Sequence, residues 1–369
     1  MSIKKTYFPN LDGIRFIAAA LVIVHHIEQL KSIFGHDSYW ESIGFVRIAG
    51  KLGVVMFFVL SGFLITYLLL NEEKEHKSIS IKMFYLRRVL RIWPLYFLII
   101  LLAFLVLPNI SAFTLPGYGK EMIYQDLSLK MVLFLLLFPN LALVIWGGIP
   151  YAAQTWSIGT EEQYYGIWPI IMKIFKKNRI YVMILILLFY KIVGYLLSFE
   201  FLSFPYKEIF VKYWSTLFLN SLAIGGLFAA LLFYKNKILK YILNTYLFNC
   251  SIILVIILIC IGKMFPFMHY EIYSFLFAII ILNFSSNPKI SISLEGSIMN
   301  YLGRISYGLY MFHGIAIVLS IIILNEFNLV NNWLLYPLSF IFTILIAGIS
   351  YKYYESFFIR FKPYKTSKK

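Results

Sequence analysis

The chain has little charge and almost no cysteine. Only 14% of its 369 residues are Asp, Glu, Lys or Arg, and 61% are hydrophobic, whereas a soluble domain carries about 25% charged residues. The two cysteines, Cys250 and Cys260, share one apolar segment, so no disulfide framework or cysteine metal site is indicated. HExxH, CxxC, P-loop and Gly-x-Ser-x-Gly motifs are all missing. The composition therefore excludes an ordinary soluble domain, and no motif indicates a bound metal or cofactor.

Long apolar segments recur along the whole chain. Several approach the ~20 residues that a helix needs to cross a hydrocarbon layer of ~30 Å. We therefore expect an all-α polytopic membrane protein, a single membrane-embedded domain over residues 1–369 with no soluble domain. The ten predicted spans are 14–34, 52–70, 90–107, 160–175, 180–198, 213–233, 246–262, 272–286, 305–324 and 333–353.

One further apolar segment, 131–146, is short and is interrupted by Pro139 and Asn140. Non-helical backbone at membrane depth is tolerated only where protein or a wet cavity satisfies it. We therefore predict a re-entrant or surface-lying segment here rather than an eleventh span.

The net charge of +16 has a simple explanation in a membrane protein. With the ten spans above, 22 of the 33 Lys and Arg residues fall in segments on one side and 7 on the other. Cytoplasmic segments are enriched in Lys and Arg, so both termini are predicted to be cytoplasmic, in a multi-pass protein of the plasma or inner membrane. Membrane lipids are expected partners, and nucleic acid is not.

The first span contains ionisable side chains, which are costly in a membrane and are therefore functional candidates. Arg15 and His26 are eleven residues apart, about three helical turns, so they share a face roughly 16 Å apart along the axis. His25 points roughly 100° away and is the weaker candidate. A hydrogen-bonded structural histidine is the alternative reading of His26.

Three arginines precede the third span. Arg87 and Arg91 are one helical turn apart and Arg88 is adjacent. Clustered guanidinium groups suit bidentate phosphate binding. The alternative is cytoplasmic anchoring or contact with anionic lipid.

Two later segments add polar candidates. Glu161 and Glu162 open the fourth span, where they could favour the positive end of the helix dipole, hold a polar acceptor or orient a histidine. In the ninth span, Ser306, Tyr310 and His313 follow an i, i+4, i+7 pattern and so line one face. His313 and His26 have similar predicted depths, which favours a shared polar cavity between neighbouring spans.

Taken together and in order, five segments resemble acyltransferase family three, the integral membrane enzymes that O-acylate extracytoplasmic sugars. They are Leu11-Asp12-Gly13-Ile14-Arg15 with His26, the run 57–66 (FFVLSGFLIT), Arg87-Arg88-x-x-Arg91, the run 155–165 (TWSIGTEEQYY) and the run 302–313 (LGRISYGLYMFH). The resemblance extends from 11 to 355.

The resemblance implies a membrane O-acyltransferase, in particular an O-acetyltransferase. Acyl-CoA, in particular acetyl-CoA, would be its co-substrate from the cytoplasm, and no bound cofactor or metal is expected. The acceptor would be a hydroxyl of a cell-surface or secreted carbohydrate or a lipid-linked glycan. Arg15, Arg87, Arg88 and Arg91 would bind the donor. His26 would act as general base or carry the acyl group, and Glu161, Tyr310 and His313 would orient His26 or the acceptor. A transporter or flippase for a polar or lipid-linked glycan is the alternative function.

Overall fold

The chain folds into helices joined by short loops. The computed structural model describes residues 7–200 and 202–363, and these contain no strand. The α-helices in chain order are α1 Leu11–Ile33, α2 Gly44–His76, α3 Ile81–Leu101, α4 Lys120–Tyr124, α5 Leu127–Leu135, α6 Pro139–Trp146, α7 Trp156–Ile174, α8 Arg179–Leu197, α9 Lys207–Thr216, α10 Leu219–Phe233, α11 Leu239–Ile242, α12 Thr245–Cys260, α13 His269–Ser286, α14 Ser297–Arg304, α15 Ser306–Glu326, α16 Asn332–Ser350 and α17 Ser356–Ile359.

Seven helical stretches in the described part of the chain are long and apolar enough to cross a membrane. They are Leu11–Ile33, Gly44–His76, Ile81–Asn109, Arg179–Leu197, Lys207–Phe233, Ser306–Glu326 and Asn332–Ile359. An all-α polytopic membrane fold is thereby confirmed.

The remaining predicted spans also coincide with helices, but α7, α12 and α13 are shorter or less apolar than those seven. The total of ten spans and the cytoplasmic position of both termini stay predictions. Residues 1–6 and 364–369 lie outside the described residues.

Helix α2 forms the centre of the fold. Its 33 residues extend roughly 50 Å, so the predicted span 52–70 is only its apolar middle. It packs against α1, α7, α10, α12 and α13. Contact with α10 is closest at two glycines: a methyl group added at Gly62 would lie 2.0 Å from the Leu222 carbonyl oxygen, and one at Gly225 would lie 2.0 Å from that of Val59. Small residues let membrane helices approach this closely.

The predicted span 213–233 is not one continuous helix. It falls on α9 and α10, which are separated at Phe218, a residue with a left-handed backbone (φ 44°). The Phe218 ring contacts the rings of Phe58, Trp156 and Tyr270 at centroid distances of 5.4, 5.7 and 4.8 Å. This aromatic cluster holds the break in place.

The segment 131–146 contains two short helices, α5 and α6, of 9 and 8 residues. Neither is long enough to cross a bilayer. The chain turns between them at Leu137, which has a positive φ of 64°. This arrangement agrees with the predicted non-spanning segment.

The first turn of α1 is fixed against the chain that leads into α15. The Asn10 side chain donates to the Phe284 carbonyl (3.0 Å) and accepts from the Leu294 amide (2.6 Å). Gly303, in α14, packs directly on the backbone of Asp12: an added methyl group would lie 2.0 Å from the Asp12 carbonyl oxygen. Helices α1, α14 and α15 therefore form one unit, on which the two candidate histidines are placed.

Candidate active site

His26 of α1 and His313 of α15 face each other inside the bundle. Their ring centroids are 4.7 Å apart, with the ring planes inclined at 59°. His313 is almost fully buried, whereas His26 is half-buried. The similar depth predicted from the sequence is thus matched by direct contact between the rings.

Backbone carbonyls fix the tautomer of both rings. Nδ1 of His26 lies 2.9 Å from the Val22 carbonyl oxygen, and Nδ1 of His313 lies 2.5 Å from that of Tyr310. A carbonyl oxygen only accepts hydrogen bonds, so each Nδ1 carries a proton. In the neutral ring this leaves Nε2 as the basic nitrogen.

His25 occupies a different environment. Its Nδ1 lies 2.7 Å from the Val46 carbonyl oxygen, and its ring packs on Trp40 at a centroid distance of 4.6 Å. It also contacts Gly50, where an added methyl group would lie 2.4 Å from the His25 ring. His25 therefore packs α1 against α2 and the loop between them.

Tyr310 is held by α7 and by the residues before it. Its hydroxyl donates to the Gln154 carbonyl at 2.8 Å and lies 2.8 Å from the Ser157 hydroxyl. The Gln154 side-chain amide donates to the carbonyl of Met311 (2.9 Å), which ties this segment to α15. The Tyr310 ring is 5.9 Å from that of His313.

A large cavity approaches the histidines from one end of α2. It encloses about 940 Å³, and Val54 and His76 of α2, which both line it, are roughly 33 Å apart along the helix. Six of the predicted site residues line it: Arg15, Arg87, Arg88, Arg91, Glu161 and Tyr310. His26 and His313 do not line it; they lie just beyond Tyr310. The polar cavity expected to be shared by His26 and His313 is therefore not this one, which only Tyr310 of the three residues lines.

The arginines of the cavity differ in how their charges are balanced. Arg15 forms an ion pair with Asp12, and Arg87 forms one with Glu72 (2.8 Å). In the described part of the chain, Arg88 and Arg91 form no ion pair with a carboxylate.

Arg88 is held by aromatic rings instead. Its guanidinium lies 5.6 Å from the ring centres of both Phe84 and Tyr165. Its Nε is buried and has no hydrogen-bond partner in the described structure. Arg88 is thus positioned by cation–π contacts and not by an ion pair.

Glu161 lies beside Arg88 rather than at the histidines. Its carboxylate accepts a hydrogen bond from the Tyr165 hydroxyl at 2.8 Å, and that hydroxyl also bonds to Ser61. The neighbouring Glu162 accepts from the Trp93 indole at 2.8 Å. The predicted role of Glu161 in orienting His26 is not reflected in any contact between the two. Its contacts place it in the wall of the cavity.

Tyr7 lines the cavity outside the helical bundle. It donates a hydrogen bond to Glu295, and this bond to a carboxylate raises the pKa of Tyr7 to about 12. Its phenol is therefore neutral at physiological pH.

Sequence reasoning did not assign a role to Gln154, Ser157, Ser61 or Glu72. Each contacts a partner on another helix, so spacing within one helix gives no signal for it. Polar residues within or next to the runs 57–66 and 155–165 are a usable sign, because uncharged polar groups at membrane depth need partners. Among the described residues, no group of three or more His, Cys, Asp or Glu side chains is arranged to hold a metal ion.

The fold and the site define a class: a multi-pass membrane protein in which an arginine-lined cavity ends at Tyr310, beside a pair of facing histidines. Comparison with known families gives that class a name. The family model for the acyltransferase domain, the third acyltransferase family, matches residues 8–352. The chain belongs to this family, whose members are enzymes that transfer acyl groups.

Curated relatives are similar to parts or all of the chain. A putative peptidoglycan O-acetyltransferase of Bacillus subtilis, YrhL, is 28% identical over 98% of this chain and 55% of its own length. The peptidoglycan O-acetyltransferase OatA of Listeria monocytogenes is 29% identical over 47% of this chain and 25% of its own. A putative O-acetyltransferase of Staphylococcus aureus is 27% identical over 46% of this chain and 25% of its own.

The chain thus spans about half the length of YrhL, and its matched part spans a quarter of the other two relatives. No solved structure matches it.

Proposed function

We propose that the protein transfers an acetyl group from cytoplasmic acetyl-CoA to a hydroxyl of a cell-wall carbohydrate on the other side of the membrane. The observation that carries the proposal is the cavity with unpaired arginines that ends beside two facing histidines. The similarity to proteins named peptidoglycan O-acetyltransferases supports a glycan acceptor of this kind.

The cavity suits the charge of coenzyme A. Its phosphates are anionic, and Arg88 and Arg91 line the cavity without a carboxylate partner among the described residues. A charge without an ion-pair partner in a low-dielectric site is costly. A bound polyphosphate would neutralise these guanidinium groups through charge-assisted hydrogen bonds.

The length of the donor also fits. Arg15 and His26 are roughly 16 Å apart along α1, and Arg15 lines the cavity. The pantetheine arm spans about thirteen bonds from thioester sulfur to the first phosphorus, roughly 15 Å when extended. With its phosphates at the level of Arg15, the donor would present its thioester close to the histidine pair.

His26 Nε2 would perform the chemistry in one of two ways. As general base, it would take the proton of the acceptor hydroxyl while the oxygen attacks the thioester carbonyl and the CoA thiolate leaves. As nucleophile, it would first accept the acetyl group as the CoA thiolate leaves. The acceptor oxygen would then take the acetyl group from Nε2, and the freed imidazole would take the hydroxyl proton. His313 would hold the His26 ring and share the proton, and Tyr310 would close the cavity behind the thioester.

The far end of the cavity favours a short acyl group. The Phe57 and Tyr310 rings, with centroids 6.1 Å apart, both line it and lie on the side of the histidines. A two-carbon acyl group requires the least displacement of these rings, which supports acetyl as the group transferred.

The experiment is to incubate detergent-purified protein with radiolabelled acetyl-CoA and to measure free CoA and the fate of the label. The proposal requires consumption of the donor or labelling of the protein or acceptor. A glycan transporter or flippase would do neither, and intact donor after prolonged incubation with wild-type protein would favour that alternative.

A further inference from the structure

A third cavity arginine without a carboxylate partner lies on a helix that carries none of the residues assigned above. Arg304 is the last residue of α14 and lines the same cavity as Arg88 and Arg91. Its side chain is exposed, whereas those of Arg88 and Arg91 are half-buried. Resting on the proposed function, we propose that Arg304 is a diphosphate-binding residue that completes the donor site opposite α3.

The hydrogen bonds of Arg304 leave its terminal nitrogens available. Its Nε donates to the carbonyl of Asn300 at 3.2 Å. In residues 7–200 and 202–363, no hydrogen bond is made by its two Nη groups, and no ion pair is formed with a carboxylate. A guanidinium tethered by Nε presents its remaining donors as a fork, the geometry that matches a phosphate.

Helix α14 aims this fork into the cavity. Asn300 and Arg304 are four residues apart, so they lie on one face of α14, and both line the cavity. Leu302 and Gly303 are buried on the other side, where Gly303 packs on the Asp12 backbone. Because that contact leaves no room for a side chain, it fixes α14 relative to α1.

Arg304 lies at the depth in the bundle that the diphosphate of the donor would occupy. Gly303 touches Asp12, one turn from Arg15, so Arg304 and Arg15 are at similar depth. Arg304 precedes His313 by nine residues, at most roughly 13 Å along the α14–α15 segment, which is interrupted at Ile305. The pantetheine arm is about as long, roughly 15 Å. The diphosphate would therefore lie between Arg304 on one side and Arg88 and Arg91 on the other.

The test compares three donors that differ in their phosphates: one has the 3′-phosphate and the diphosphate, one has only the diphosphate, and one has neither. Binding of acetyl-CoA, 3′-dephospho-acetyl-CoA and S-acetyl-pantetheine is measured on the full chain in phosphatidylcholine nanodiscs. Arg304→Ala should weaken the first two by the same factor, about tenfold to a hundredfold for a lost charge-assisted contact. It should leave S-acetyl-pantetheine, which has no phosphate, unchanged. Arg304→Lys should recover part of the loss.

Arg360→Ala is the matched control. Like Arg304, Arg360 is an exposed arginine. Its guanidinium lies over the Phe357 ring at 4.5 Å, and it does not line the cavity. The control should bind all three donors as the wild type does.

Each other outcome decides against the inference. Weakening of acetyl-CoA alone would assign Arg304 to the 3′-phosphate, and equal weakening of all three donors would make its role structural. A loss that appears only when the nanodiscs contain phosphatidylglycerol would assign it to an anionic lipid. If the wild type binds none of the three donors, the proposed function itself fails, and this result is distinct from the others.

Discussion

His26 and His313 meet across the α1–α15 interface with their rings 4.7 Å apart and each Nδ1 bound to a backbone carbonyl. The sequence places these residues nearly three hundred positions apart. Their meeting leaves two basic Nε2 atoms in one confined volume, and this arrangement is the basis of the first two predictions.

Replacing His26 should abolish acetyl transfer without loss of folded protein. General-base catalysis contributes about 10²- to 10⁴-fold, so His26→Ala should lower kcat by at least that factor in an acetylation assay. Donor binding should persist, because His26 does not line the cavity.

The neighbouring histidine is the control for that experiment. His25 packs against Trp40 and Gly50, so His25→Ala should lower thermal stability in detergent and keep substantial activity. If His25→Ala is the inactive variant and His26→Ala is active, the catalytic assignment is wrong.

Replacing His313 tests whether it orients the His26 ring or binds the donor. His313→Gln should lower kcat much more than it changes KM for the donor, because the ring contacts His26 and not the donor cavity. The check is a full kinetic titration of acetyl-CoA. A rise in KM with unchanged kcat would place His313 in donor binding instead.

The cavity arginines should not contribute equally. Arg88→Ala and Arg91→Ala should each raise KM for acetyl-CoA about tenfold to a hundredfold and leave KM for the acceptor unchanged. Arg87→Ala should raise it less, since the Arg87 charge is already paired with Glu72. Separate titration of each substrate decides this, and a selective acceptor defect would contradict donor binding at α3.

The close contact of α2 and α10 should tolerate no added methyl group. Gly225→Ala would bring a methyl group to 2.0 Å from the Val59 carbonyl oxygen and should destabilise the fold by at least the ~1–3 kcal/mol that overpacking costs. Gly166→Ala, in α7, meets nothing within 4 Å and should be neutral or slightly stabilising. Thermal unfolding in detergent compares the two, and equal melting temperatures would contradict the contact.

The orientation of the chain can be tested with a fusion. Alkaline phosphatase attached after Lys369 should be inactive in a bacterial host, because the excess of basic residues predicts a cytoplasmic C-terminus. High phosphatase activity from a stably expressed fusion would place the C-terminus outside the cytoplasm and would contradict the predicted orientation of the cavity.

Hydropathy and periodicity predicted some features well for physical reasons. The first predicted span, 14–34, matches Leu11–Ile33, and 305–324 matches Ser306–Glu326, because a buried helix in a bilayer must be both long and apolar. The pairing of His26 with His313 followed from their similar depths and from the high cost of facing lipid.

Other features depend on contacts between distant segments. Helix α2 continues through Asn71 and Glu72 to His76, where hydropathy ends the span but not the helix. The break at Phe218 lies in a largely apolar segment without proline and is held by rings from three other helices. The pairing of Arg87 with Glu72 likewise joins two helices, and no spacing within one segment predicts it.

The most direct test of the central claim uses vesicles that separate the two substrates. The protein is reconstituted so that its two termini, which are predicted to be cytoplasmic, face outward. Radiolabelled acetyl-CoA is added outside, and a cell-wall disaccharide of N-acetylglucosamine and N-acetylmuramic acid is enclosed. We expect labelled, O-acetylated disaccharide inside the vesicles while CoA stays outside, and no such product with His26→Ala. Acetylation only when donor and disaccharide share one side of the membrane, or equal acetylation by the variant, would contradict it.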